Sequence, residues 1–271
     1  MEIQQGYPDF HALPTYGAVH GIAVMGLVHR AMADFLPNFQ GHNHVHGENF
    51  LELKKAYPIP NGREEIKLET TAKVVDIVDR RSGVLVFVDI ETVEEGTIDV
   101  LCVNQWGGFV MKVPTAGANT TPIQRGPRTT LYPTLTRAPD KITAHKTSPE
   151  QAALYRAASG YLNPLHIDPE TAKAAGFPAP ILTGTCPLGM GVRHVVDAFA
   201  GGDGRRFKSV KCRLSKPIYG ALGQVVRTEM WREEGGRRIL YRQVVRNGER
   251  EKIVIGMAAV DLWEEGGAVK P

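Results

Sequence analysis

Residues 159–170 read Ser-Gly-Tyr-Leu-Asn-Pro-Leu-His-Ile-Asp-Pro-Glu. Histidine is the side chain whose ordinary pKa lies near neutrality, so His166 is suited to giving and taking a proton during a reaction. Its surroundings are stiff. Pro164 lacks a backbone donor and biases Asn163 toward an extended conformation. Asp168-Pro169-Glu170 has the form of a helix start, with Asp168 as the cap and Pro169 at the first helical position. An imidazole on a short rigid loop ahead of a helix is placed for proton transfer. A histidine making a merely structural hydrogen bond would sit equally well there, so the elements around it must decide.

Those elements repeat. Ahead of the loop, PEQAALYRAAS predicts a short helix; after it come PETAKAAG, the proline-rich FPAP, and then a long helix in PILTGTCPLGMGVRHVVDAFA. Leu188, Val192, Val195, Val196 and Phe199 fall on one face of that helix. Four strand candidates follow, in RFKSVKCRLSKPI, QVVRTEMWRE, RRILYRQVVRNG and EKIVIGMAAVDLW. The first half has the same order. One helix, GIAVMGLVHRAMADFL, presents Val24, Leu27, Val28, Ala31, Met32 and Phe35 at helical spacing. Gly21 and Gly26 in it imply close packing on something flat. Strands in ENFLEL, IKLETTAKVVDIV, VLVFVDIETV and VLCVNQWGGFVMKV come next. Val84 to Val88 are apolar without alternation, as in a strand covered on both faces. Residues 114–148 are rich in Pro, Thr, Gly and Arg without period, and read as a linker. The expectation is an α+β chain of two repeats, 1–113 and 149–271, each an antiparallel sheet around a central helix. The extra segment 149–180 in one repeat is the place to look for function.

Other candidates carry less. His42, His44 and His46 alternate, so on a strand they share a face and would suit a metal; a plain strand reading is preferred and no metal is expected. Cys186 sits just inside the long helix, where a thiol pKa can fall. No partner base is evident, so core packing is expected. Arg205, Arg206, Lys208, Lys211 and Arg213 form a basic cluster that suits phosphates, although alternation sends Lys208 and Lys211 to opposite faces.

The bulk properties set limits. The 271 residues carry a net charge of +3, which gives no case for nucleic acid, and no apolar run is long enough to span a membrane. The three cysteines are far apart and odd in number, so neither a disulfide framework nor a zinc cluster is indicated. The N-terminal text lacks a secretory pattern, and the C-terminal AVKP is not a Ser-Lys-Leu-like address. A reducing, cytoplasmic setting is expected.

SGYLNPLHIDP followed by GFPAPILTGTCPLG resembles the signature of the MaoC-like, type 2 (R)-specific enoyl-CoA hydratases. HGENFLEL, SGVLVFVDI, RFKSVKCRLSKPIY and TEMW resemble that family too, so the likeness runs nearly the length of the chain. It implies a double hot-dog fold with one active site, in the C-terminal repeat, and an acyl tunnel shaped by the N-terminal repeat. It implies reversible syn addition of water to a trans-2-enoyl-CoA, with no cofactor beyond the coenzyme A of the substrate. Carried over residue by residue, His166 is an acid/base, Asn163 positions the site, and Gly184 donates its N–H to the thioester oxygen. Glu48 falls at an acidic position of the family's active region. With Glu48, the candidate substrate contacts are Thr183, Arg206 and Lys208. A homodimer is implied, by edge-to-edge pairing of hot-dog sheets.

Two positions depart from the pattern. Tyr161 stands where the family has an aspartate, and Thr183 where a histidine is usual. A carboxyl of pKa ~4 accepts protons at neutral pH, whereas a phenol of pKa ~10 donates a hydrogen bond instead. The expected function is therefore a hydratase/dehydratase-type enzyme of altered chemistry: dehydration, isomerisation or cyclisation of an acyl-thioester or polyketide-derived intermediate. The alternative is a non-catalytic acyl-thioester-binding or scaffold protein of the same fold.

Overall fold

The computed structural model describes residues 11–60, 65–114, 120–247 and 250–269. Nine strands form one antiparallel sheet in the order β2-β3-β4-β1-β6-β9-β8-β7-β5. β1 (His44–Leu53), β2 (Leu68–Arg80), β3 (Gly83–Glu94) and β4 (Val100–Met111) make one half. β6 (Phe207–Leu214), β7 (Val225–Arg232), β8 (Arg238–Asn247) and β9 (Arg250–Leu262) make the other. The orders 2-3-4-1 and 6-9-8-7 mirror each other across the β1–β6 junction, so the duplication in the sequence is also a duplication of pairing.

The helices lie on one face. α5 (Thr185–Phe199) buries Leu188, Val192, Val195 and Val196 against Leu51, Val210, Met230 and Tyr241, with Phe199 at the margin of that core. The first-half helix differs from its expectation. It is two helices, α1 (Gly17–Ala23) and α2 (Met25–Phe35), interrupted at Val24, whose ψ of −4° leaves the helical range. Val24, Val28 and Met32 are buried on Val84, Val86, Val88 and Ile90, but Leu27, Ala31 and Phe35 face outward. All of these helix residues but Val24 lie within α2, so its buried stripe is simply narrower than the spacing suggested, running along Val28 and Met32. Gly21 does pack closely: a Cβ there would lie 2.5 Å from Asn104 Nδ2. Gly26 has open space around it.

Val84 to Val88 are buried on both sides as the run implied, with Val84, Val86 and Val88 under α2 and Leu85 and Phe87 in a cluster on the opposite face. Part of what covers that outer face is the segment read as a linker. Thr120 and Ile123 bond to Asp79 and Asp76 of β2, Arg128 pairs with Asp89 of β3 at 2.6 Å, and Tyr132 N–H reaches the Met257 carbonyl of β9. Trp231 Nε1 then donates to the Arg137 carbonyl at 2.8 Å. The segment is a strap across the sheet, and it ends in a strand that the sequence reading missed, β5 (Lys141–Lys146), paired to β7. This strand lies at the end of the sheet with four of its six residues exposed, and its apolar signal is correspondingly thin.

Candidate active site

The insertion before α5 builds a wall in four local steps. α3 (Gln151–Ser159) is stopped by Gly160 in the left-handed conformation, φ 69°. The chain then turns through Tyr161 to Asn163, whose Oδ1 accepts from Leu165 N–H at 3.0 Å and caps a single 3-10 turn, Pro164–His166. Asp168 caps α4 (Pro169–Ala174), accepting from the N–H groups of Glu170 and Thr171. The chain returns through Ile181 to Gly184, the cap of α5.

These turns bring His166, Asn163, Tyr161, Thr183 and Gly184 to one cavity of about 450 Å³. His166 Nδ1 donates to the Ile181 carbonyl at 2.8 Å, since a carbonyl can only accept. That bond fixes the tautomer and leaves Nε2 with its lone pair. Burial, the largest influence, lowers the His166 pKa below its ordinary 6.5, and Arg156 lowers it further against the opposing Ile181 bond. The ring is thus a neutral acceptor at neutral pH. Tyr161 lies beside it, ring centroids 5.5 Å apart. The phenol oxygen accepts from Asn163 Nδ2 at 3.1 Å, so its own proton is available to a third group. Burial pushes that phenol above its ordinary 10.0 and keeps it protonated.

Gly184 closes the arrangement. Among the described residues, the N–H groups of Gly184 and Thr185 have no acceptor, and both sit at the positive end of α5. A side chain is barred there: a Cβ would lie 2.6 Å from Leu214 Cδ2 and 2.7 Å from His46 Nδ1. Tyr155 of α3 donates to Thr185 Oγ1 at 2.6 Å and ties the insertion to the helix start. Cys186 is buried, and burial pushes its thiol up to about 11, so it packs as a thiol.

Three sequence candidates lie elsewhere. Glu48 does not line the cavity. A bulge at Gly47 places both His46 and Glu48 opposite consecutive residues of β4, Gly108 and Gly107, so their side chains leave on opposite faces. Glu48 points to the outer face and pairs there with Lys211 at 2.9 Å and Arg213 at 2.8 Å. Arg206 bonds to the Trp263 carbonyl, and Lys208 sits over the Trp263 ring. Neither lines the cavity, whereas Lys216 does, exposed at its rim.

The sequence reading missed the opposite wall. His29 of α2, His44 and His46 of β1, and Trp106 of β4 all line the same cavity. His46 stacks on Trp106 at 3.5 Å, with the rings 8° from parallel. Their common face follows from the pairing of His46 with Gly108, two residues from Trp106. The side chain of His42 lies outside the described residues. Among the described residues no group of three His, Cys, Asp or Glu side chains is arranged to hold a metal. Among them, too, no helix is long and apolar enough to cross a membrane.

Fold and cavity define a double hot-dog protein whose pocket, at the N-terminus of the second central helix, joins an imidazole to unpaired amides. Comparison with known proteins agrees. The MaoC like domain matches residues 129–255 and the MFE-2 hydratase 2 N-terminal domain residues 3–112. The peroxisomal multifunctional enzyme type 2 of Mus musculus is 38% identical over 98% of this chain, but the match spans 34% of that enzyme. The chain thus corresponds to about a third of the length of that relative. The probable enoyl-CoA hydratase 2 of Dictyostelium discoideum is 32% identical over 85% of this chain and 74% of its own. The crystal structure of a MaoC-like dehydratase from Phytophthora capsici superposes with a TM-score of 0.77 at 28% identity, covering 95% of this chain and 84% of that one. The chain belongs to the MaoC-like hydratase family.

Proposed function

We propose that the protein catalyses loss or addition of water at C2–C3 of an acyl thioester, carried on coenzyme A or a related carrier, with His166 as its single proton carrier. The observation that supports this reading most directly is the bare, neutral Nε2 of His166 in a cavity shared with the α5 amides. In the dehydration direction, Nε2 takes the C2 proton of a 3-hydroxyacyl thioester. The electron pair delocalises onto the thioester oxygen, which the Gly184 and Thr185 N–H groups stabilise. The C3–O bond then breaks; the imidazolium returns the proton to the departing hydroxyl, and water leaves. Tyr161 donates a hydrogen bond to that hydroxyl and is not itself the base, because its proton is held too tightly.

This division of labour predicts slow hydration of simple enoyl thioesters, since a second positioned base typically contributes ~10²–10⁴ in rate. Crotonyl-CoA hydration, followed by loss of the enoyl absorbance, should be weak in the wild type and rise by at least ~10-fold in Tyr161→Asp. Ordinary family rates in the wild type would refute the role given to Tyr161. An inert Tyr161→Asp protein that still binds acyl-CoA would instead favour a binding module.

A further inference from the structure

Hydration gains from a second base that orients the water. Moving a double bond along a chain needs neither water nor a second base: one carrier takes a proton at one carbon and returns it two carbons away. The contents of the cavity suit the second task. Among the described residues that line it there is no aspartate or glutamate. The first-half histidines do not fill that gap. His44 Nε2 and His46 Nδ1 have no surface open to the cavity. His44 Nδ1 and His29 Nε2 are held to each other at 2.8 Å, and His46 Nε2 to the Glu48 carbonyl at 3.1 Å. Lys216 is exposed at the rim. Beside His166 stands the ring of Tyr161, 5.5 Å from the imidazole and packed on the first-half core, with a phenol that burial keeps protonated. Among the described residues, the base next to the free N–H groups of Gly184 and Thr185 is therefore Nε2 of His166 alone.

One base and two amides suffice for a proton shift across three carbons. On a 3-enoyl thioester, Nε2 takes a proton from C2. The electron pair spreads over C2, C4 and the thioester oxygen, where the amides stabilise the charge. The imidazolium then gives its proton to C4; C2–C3 becomes the double bond and C3–C4 a single bond. Nothing else enters or leaves, and the base ends as it began. Reach follows from the dehydration described above, in which Nε2 serves both C2 and the hydroxyl on C3. A nitrogen so placed stands over C3, and C4 is the other neighbour of that carbon. Resting on the acyl-thioester reading above, we propose that this site also moves the double bond of an enoyl thioester between C3–C4 and C2–C3, with His166 carrying the proton across one face of the substrate. The further activity is an enoyl-thioester isomerisation.

The test uses substrates that cannot be dehydrated. The full chain, given trans-3-hexenoyl-CoA or its decenoyl homologue, should form the trans-2-enoyl-CoA, seen as growth of the conjugated enoyl absorbance. His166→Ala should lose that rate by ~10²–10⁴ while still binding the thioester. With deuterium at C2 of the substrate, product made in ordinary water should carry label at C4; product without it would show delivery by solvent or another group and overturn the single-carrier route. Tyr161→Phe should lower dehydration of 3-hydroxyhexanoyl-CoA more than isomerisation, because no hydroxyl departs in the latter. Equal losses would contradict the separation. The matching 3-hydroxyacyl-CoAs, run in parallel, keep the two readings apart. Dehydration without isomerisation at either chain length overturns this inference alone; isomerisation without dehydration overturns the hydratase reading alone; neither activity overturns both.

Discussion

The two halves of the sheet carry the same strand order but spend their helices differently. In the second half one unbroken helix, α5, is aimed by its N-terminus at the cavity, and the insertion before it supplies Tyr161, Asn163 and His166. In the first half the helix is broken at Val24, and α2 contributes side chains from its flank: Met25 and His29 line the cavity beside His44, His46 and Trp106. On the proposed mechanism, duplication gave one half the charge-stabilising amides and the proton carrier, and left the other to shape and polarity. Helix termini provide amides; helix flanks and strands provide side chains.

The division is broken most directly at His166. His166→Ala should lower turnover of the native thioester by ~10²–10⁴ with acyl-CoA binding retained. Rates close to wild type would move catalysis to another group. The wild-type pH profile sharpens the same point. Because burial holds His166 below 6.5 and Tyr161 above 10.0, activity should form a plateau whose acid limb falls below pH 6.5 and whose alkaline limb lies above 10.

The next largest effect lies where the halves meet. Lys211 of β6 is 2% exposed and depends on Glu48 of β1. Glu48→Ala should cost about 3–5 kcal/mol, because it leaves a buried ammonium unpaired, and should shift the urea midpoint accordingly. The sign with pH follows. Burial alone would raise the Glu48 carboxyl, but Lys211 and Arg213 together hold it below its ordinary 4.5. Its contribution is therefore complete above pH 4.5 and is lost as pH falls through the lower folded value. Glu48→Gln should flatten that acid limb.

The smallest effects compare one glycine from each central helix. Gly184→Ala drives a methyl into Leu214 and His46 and should destabilise by about 1–3 kcal/mol. Gly26→Ala meets nothing within 4 Å, and its φ is not in the left-handed region, so it should stabilise by about 0.5 kcal/mol. Thermal midpoints moving the same way for both would contradict that packing difference.

Much of this was written locally in the chain. Gly160, Asn163 and Asp168 act as caps within a few residues of the groups they cap, so the loop around His166 could be read before any fold was known. The stripe of α5 and the doubled helix-then-strands order were legible for the same reason: period and punctuation are short-range properties. What tertiary structure alone decided was which distant side chains share a face. A one-residue bulge at Gly47 turns Glu48 outward and leaves His46 at the cavity, and no local pattern announces it. The strap over 120–140 and the strand β5 take their form from partners remote in sequence, and so does the wall of His29, His44, His46 and Trp106 opposite His166. Caps and stripes are contacts between neighbours in sequence; the composition of a pocket is a contact between strands, and it exists only once register is set.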